Sequence, residues 1–318
     1  MDISGPYAGL LVGAWRNLRR VRRLRREIVR VQPDCIVAFS ESNGVNSVLA
    51  SLGTGTPVVI SEHSNPYFFL TTRHGQVWHF LRCLVYRFAA AIVVLTEFNR
   101  QFFCGKIRQK TVVIPNAAPT DPDWVDETAE QTLSLPPRTV AALGRLEPEK
   151  RFDLLIKAFA RVLQDVDGHL VIVGDGTLRA DLERLSEELG LADRLTMPGF
   201  LHHPWRLLRH ASLFVLSSEV EVFPMVLLEA MSHGLPVVSF DCRTGPAEIV
   251  RDGVDGLLVP PLEVDALAAA MIRLLKDDEE RKRLAARATE VKHRFSEDRM
   301  MGMWDEVVKK AVENRMKI

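Results

Sequence analysis

Eight short apolar runs constrain this chain more than any other feature. "CIVAF", "PVVIS", "AIVVL" and "TVVIP" come first, "TVAALG", "HLVIVG", "SLFVL" and "PVVSF" follow, and stretches with amphipathic helical spacing separate them. Buried apolar runs alternating with helices are the pattern of parallel strands joined by right-handed crossovers, so the expected class is α/β with doubly wound sheets. Between the two sets, residues 116–138 are rich in Pro, Asp and Thr and have neither helical nor strand periodicity. That stretch reads as an interdomain linker, with one Rossmann-like domain on each side.

Composition narrows the chemistry. The 318 residues, 47% hydrophobic, are enough to bury two cores, and a formal net charge of zero provides no global field to recruit nucleic acid. Cys35, Cys83, Cys104 and Cys242 are too widely spaced for a Cys-x-x-Cys pair, which argues against a zinc site and suits a reducing, cytoplasmic compartment. The apolar stretch "YAGLLVGAW" is too short to span a bilayer and its charges follow it, so any membrane contact is expected to be peripheral.

In open parallel sheets, ligands bind beyond the carboxyl ends of the strands. "GTPVVISEHSNP" (55–66) and "GLPVVSFDCRTGP" (234–246) echo each other as a strand running into a polar loop. After "TVAALG", Arg145 falls on a loop and Lys150 just ahead of a helix whose apolar face is Phe152, Leu155, Ile156, Phe159 and Val162. Two cations at a helix N-terminus suit a diphosphate, and a solvated basic turn paired with Glu147 and Glu149 is the equal alternative. Gly174 and Gly176 follow a strand and precede a helix, either to admit a ligand close to the backbone or simply to make a tight turn. With Arg179 in place of a third glycine, this is not a dinucleotide fingerprint. "DPD" (121–123) and "DVD" (165–167) match a Mg²⁺-type spacing but lie in the linker and past a helix, so no metal is assigned.

The stretch "EVEVFPMVLLEAMSHGLPVV" (219–238) predicts a helix from Pro224 to Ser232, stopped by His233-Gly234, then a buried strand over Leu235–Ser239. Glu221 precedes that helix and can reach a ligand held at its N-terminus. Glu229, inside it, could accept two hydroxyls of a ribose, although an exposed helix glutamate is the commoner explanation of such a residue.

Glu221-x7-Glu229 within "FPMVLLEAMSHGLPVVSFDCRTGPAEIV", together with "GRLEPEKRFDLLIKAF" and "DGVDGLLVPP", resembles the retaining glycosyltransferases of family 4, which have the GT-B fold. The likeness runs from about Gln32 to Trp304 and is greatest to members that build lipid-linked or capsular polysaccharides. It implies two facing domains with the donor site in the cleft between them: 1–118 on the acceptor side, a linker over 119–138, a nucleotide-sugar domain over 139–297, and a helix over 298–318 that crosses back. It further implies that Arg145 and Lys150 bind the donor diphosphate and that Glu229 binds the ribose. Glu221 would meet the donor sugar, His63 in "SEHSNP" would face the transferred sugar, and Gly174, Gly176, Phe223, Pro224, Met225 and Val226 would line the donor pocket. The donor is expected to be a UDP-sugar and the acceptor a polyprenyl-diphosphate-linked or other saccharide, with no metal. A nucleotide-sugar-binding protein without transfer activity is the competing class.

Two departures from the family stand out. Val222 replaces the usual glycine, so either the loop is extended or donor binding is weakened. The family's opening strands and their glycine-rich loop have no counterpart in this sequence, so the first domain is expected to be incomplete, with an open sheet edge and exposed apolar surface. The helix expected over 15–31 carries eight arginines against one glutamate, with Leu18, Val21, Ile28 and Val31 on its apolar side. It is expected either to meet anionic lipid headgroups or to be an ordinary solvated helix. Met300, Met301, Met303 and Trp304 are expected as core.

Overall fold

The computed structural model describes residues 10–65, 73–119, 135–204 and 209–315; the expected linker falls largely outside them, as does "DPD". The chain divides into two compact units, Met1–Pro115 with Asp298–Ile318, and Asn116–Glu297.

The first unit holds a parallel sheet of β1 (Ile36–Phe39), β2 (Val58–Glu62), β3 (Ala91–Val94) and β4 (Thr111–Val113), in that spatial order. Side chains alternate between its faces because the strand period is two. Val58, Ile60, Ile92 and Val94 pack with Val45, Val48, Tyr86 and Phe103 on one side. Val59 and Val93 pack with Val307, Ala311, Met300, Met303 and Trp304 of the Glu297–Arg315 helix on the other. Met301 departs from the expected core, being exposed. β1 lies at an edge of this sheet among the described residues, with Val37 38% and Phe39 57% exposed.

The Leu10–Val31 helix begins earlier than expected and packs against the Glu41–Ser51 helix. Its buried stripe also differs from expectation. Ile28 is buried and Val21 and Leu24 are half-buried, whereas Leu18 and Val31 are exposed. The i, i+3, i+7 spacing of Val21, Leu24 and Ile28 follows the helix period, and Leu18 and Val31 lie at the two ends of the stripe, where no neighbour covers them. Arg25 turns to the protein and donates to the carbonyls of Ala50 (3.0 Å) and Leu52 (2.6 Å), at the end of the Glu41–Ser51 helix. Those carbonyls would otherwise lack partners.

The second unit holds six parallel strands in the order β10-β9-β8-β5-β6-β7: β5 (Thr139–Leu143), β6 (His169–Val173), β7 (Leu195–Gly199), β8 (Leu213–Leu216), β9 (Val237–Phe240) and β10 (Gly256–Val259). β9 starts two residues later than expected, because Leu235 is held in the turn by its N–H bond to Ala230. β7 and β10 were not among the eight runs. They are the sheet's two edges, where "LTMPG" carries a proline and "GLLV" opens on a glycine, so neither has the continuous apolar character of a central strand. Val140, Ala142, Leu170, Ile172, Leu213 and Val238 face the core built with the Phe152–Val162 and Val264–Lys276 helices. The expected apolar face of the first of these, Phe152, Leu155, Ile156, Phe159 and Val162, is buried throughout.

Candidate active site

The strongest convergence lies past the carboxyl ends of β5 and β8. After β5 the chain makes a short 3-10 turn, Pro148–Lys150, and enters the Phe152–Val162 helix through Arg151 in the left-handed region at φ 50°. The segment after β8 is laced to this turn. Ser217 Oγ donates to the Lys150 carbonyl (2.8 Å), the Glu219 N–H to the Glu149 carbonyl (2.9 Å), and the Arg151 guanidinium meets Glu219 (3.0 Å). The result is an ion pair between Lys150 Nζ and Glu221 Oε1 at 2.5 Å, with the two side chains only 18% and 11% exposed. Residues 71 apart in sequence are thus brought together by two adjacent strand ends.

Arg145 differs from Lys150. Its side chain is 75% exposed and pairs with Glu149 at 3.1 Å, as the solvated-turn alternative expected. Glu147 does not join that turn's cations, since its carboxylate accepts from the Thr177 N–H (3.2 Å) and hydroxyl (2.8 Å). Gly174 and Gly176 make room for protein backbone. A Cβ on Gly174 would lie 1.9 Å from the Gly144 carbonyl oxygen, and one on Gly176 2.6 Å from that of Leu146. These glycines let the loop after β6 stack on the loop after β5, where Leu146 N–H donates to the Asp175 carbonyl at 3.0 Å.

The helix after Glu221 runs Met225–Ser232 with Pro224 as its N-cap, one residue inside the expected start. Phe223 is buried edge-on against Phe295 at 5.7 Å, while Met225 and Val226 are half-buried. Val222 is not among the residues with positive φ, so the loop takes a conformation that valine tolerates and the usual glycine is not required. The glycine this region does need is Gly245, at φ 96°, where a Cβ would lie 2.6 Å from Pro224 Cδ and 3.0 Å from the Val222 carbonyl oxygen. Thr244 next to it donates its hydroxyl to the Glu221 carbonyl, so the "DCRTGP" loop braces the glutamate. Burial, with the Glu221 carboxylate nearby, pushes the Cys242 thiol up to about 11 and leaves it a protonated bystander.

Glu229 is half-buried, and burial raises its carboxyl above the usual range against the opposing pull of His233. His233 itself bonds the Glu229 carbonyl through Nδ1 at 2.8 Å. Among the described residues, no three His, Cys, Asp or Glu side chains converge in a way that could hold a metal.

His63 lies in the other unit, one residue past β2. Its Nε2 is 2.8 Å from Ser61 Oγ, and its ring packs against Phe39 at 5.6 Å. Sequence reasoning passed over its neighbours. Glu62 is buried in an ion pair with the fully buried Arg82 and accepts from the Tyr86 hydroxyl at 3.0 Å. Burial pushes the Glu62 carboxyl up to about 7, with Arg82 and Tyr86 pulling the other way. Ser64 donates to Glu41 at 3.0 Å, and Glu41 follows Ser40, whose φ 74°, ψ 155° is a backbone conformation that only glycine adopts freely. The one available signal was a charged residue inside an apolar strand run, Glu62 at the end of "PVVISE".

Comparison with known proteins bears on the whole chain. Residues 126–291 match the family described as "Glycosyl transferases group 1" and residues 3–122 that described as "Glycosyltransferase Family 4". The chain is 32% identical over 314 residues to the alpha-D-kanosaminyltransferase of Streptomyces kanamyceticus, covering 90% of this chain and 80% of that protein. It is 40% identical over 230 residues to an exopolysaccharide phosphotransferase of Streptomyces coelicolor, covering 71% of this chain but only 24% of that protein. Among solved structures, the Anabaena protein HepE in complex with UDP superposes with a TM-score of 0.79 at 24% identity, covering 91% of this chain and 81% of that one. At that identity the likeness carries the fold alone, the GT-B fold with its two Rossmann-like domains. The chain belongs to the family 4, group 1 glycosyltransferases.

Proposed function

We propose that this chain is a retaining transferase that moves a hexose or N-acetylhexosamine from a nucleotide diphosphate sugar, UDP-sugars favoured, to a lipid-linked or cell-surface saccharide without a metal ion. The observation that carries this reading is the Lys150–Glu221 pair past the carboxyl ends of β5 and β8, ahead of the Met225–Ser232 helix. Lys150 neutralises charge developing on the leaving diphosphate, Arg145 assists from its exposed position, and the helix N-terminus adds its dipole. Glu221 orients the sugar and Glu229 the ribose. The leaving phosphate oxygen takes the acceptor's proton on the face it departs from, so the protein's work is positioning and charge stabilisation. His63 binds a substrate saccharide.

Relatives support the substrate classes. The chain is 27% identical over 267 residues to a Campylobacter jejuni N-acetylgalactosaminyltransferase named for an undecaprenol-linked saccharide, and 25% identical over 268 residues to the lipopolysaccharide 1,6-galactosyltransferase of Escherichia coli. For such an acceptor we place the chain in the cytoplasm at the inner face of a membrane, held peripherally. No helix among the described residues is long and apolar enough to cross one. Arg16, Arg19, Arg20, Arg22, Arg23, Arg26 and Arg30 of the Leu10–Val31 helix are exposed, and each contributes about 1 kcal/mol near anionic lipid. Radiolabelled UDP-sugars and an undecaprenyl-diphosphate saccharide, with and without EDTA, provide the test. Transfer with the donor's anomeric configuration kept and EDTA without effect is expected. Inversion, or abolition by EDTA with rescue by Mn²⁺, refutes the proposal.

A further inference from the structure

Residues 61–64 are anchored on alternating sides. Glu62 and Ser64 are held by Arg82 with Tyr86, and by Glu41. Ser61 and His63 fall on the opposite face, two residues apart, as the pleat of a strand requires. That face is the one covered by the Glu297–Arg315 helix, where Phe39 lies between the His63 ring (5.6 Å) and Trp304 (6.1 Å). Ser61 is buried, and its register neighbours in β1 and β3 are Phe39 and Val93, both apolar. Among the described residues, the Ser61 hydroxyl has one hydrogen-bond partner, His63 Nε2.

A buried hydroxyl with one partner loses most if its single proton goes unused, whereas its lone pairs tolerate partial satisfaction. Ser61 therefore donates and Nε2 accepts. A neutral imidazole that accepts at one nitrogen carries its proton on the other. Partial burial disfavours the protonated ring, so the neutral form is the one to consider. The side chain of His63 is otherwise exposed, and no described residue bonds its Nδ1.

We infer that Ser61 is a positioning residue that holds His63 in the Nδ1–H tautomer, so that this histidine presents a hydrogen-bond donor to a substrate saccharide and cannot act as a general base. This deepens the proposed function, since it rests on His63 meeting a substrate saccharide. With its only basic nitrogen turned to a buried serine, His63 has no lone pair to offer an acceptor hydroxyl.

Nitrogen-15 NMR of the full chain, above the titration range of His63, reads the tautomer without any substrate. Wild type is expected to show a protonated Nδ1 and an unprotonated Nε2. Ser61→Ala should shift His63 toward the Nε2–H form that free neutral histidine favours, and Ser61→Thr, which keeps the hydroxyl, should not. An Nε2–H ring in wild type, or no change in Ser61→Ala, overturns the assignment. In transfer assays, loss of one neutral hydrogen bond predicts a kcat/KM lower by about 2- to 12-fold for Ser61→Ala, restored in Ser61→Thr. His63→Asn, whose amide nitrogen overlays Nδ1, should transfer better than His63→Gln, whose amide overlays Nε2, and the reverse order overturns the donor role. If His63→Ala transfers at the wild-type rate while the spectra behave as expected, the contact with sugar falls and the tautomer assignment stands.

Discussion

Replacing Glu221 by glutamine should make the free nucleotide diphosphate bind more tightly while crippling transfer. Lys150 is bonded to Glu221 at 2.5 Å, with both groups largely out of water. A diphosphate that engages Lys150 must share it with this carboxylate and lies one side chain away from its charge. Two like charges about 6 Å apart repel by roughly 3 kcal/mol at an effective dielectric of about 20. Salt and side-chain relaxation at a partly exposed site leave about 1 kcal/mol of that, or about fivefold in affinity. Glutamine keeps the shape and a carbonyl acceptor for Lys150, so the fold should tolerate the change. Calorimetric titration with UDP and with uridine reads the effect: about fivefold tighter UDP binding and unchanged uridine binding are expected. Lys150→Ala should do the opposite, losing a charge-assisted bond of about 1.5–3 kcal/mol to UDP alone. Arg145→Ala should cost less, because that side chain is already in solvent. Unchanged or weaker UDP binding in Glu221→Gln would mean that Lys150 serves the fold and not the phosphates.

Four further outcomes follow from the geometry. Glu229, raised by burial, binds its proton more tightly in the folded chain than in the unfolded one. Its stabilising contribution is therefore complete below the ordinary carboxylate range and lost as pH rises through the raised value, and the difference in thermal stability between wild type and Glu229→Gln should track that window. Glu62→Gln takes the carboxylate away from the fully buried Arg82 guanidinium and should cost about 3–5 kcal/mol in denaturant unfolding, much of it recovered when Arg82 is also made methionine; a loss under about 1 kcal/mol would contradict the buried pair. Ser40→Gly relieves a positive φ and should stabilise the chain by about 1 kcal/mol, read as a rise in Tm. Val222→Gly should lower stability by about 0.5–1 kcal/mol with no gain in donor affinity, and tighter donor binding would show that the loop needs glycine's freedom.

Periodicity made the central strands and the helix faces legible. Each central strand is buried on both sides, so "VVIS" or "HLVIV" shows as an unbroken apolar run, and the buried face of the Phe152–Val162 helix shows as a 3.6-residue repeat. The edge strand β7 lacked that signature because it is only partly buried along its length, and β10, although mostly buried, is a four-residue run that opens on a glycine. Lys150, Glu221 and Glu229 stood out as a set only through the likeness of their surrounding motifs to family 4 glycosyltransferases, since spacing alone left Glu229 as an ordinary helix glutamate and Lys150 equally readable as part of a solvated basic turn. What those residues bond to, and which glycine matters, depended on contacts between segments remote in sequence. Lys150 finds Glu221 only because β5 and β8 are neighbours, Gly174 is needed because the loop after β5 passes over it, and Gly245, not residue 222, is where backbone meets backbone. Nothing in the local sequence pairs Glu62 with Arg82, which meet only where the Arg73–Tyr86 helix reaches the end of β2. Local spacing determines which side of an element is apolar; which element lies opposite is set by the packing of the whole chain, and with it whether a charge ends up solvated, paired or buried.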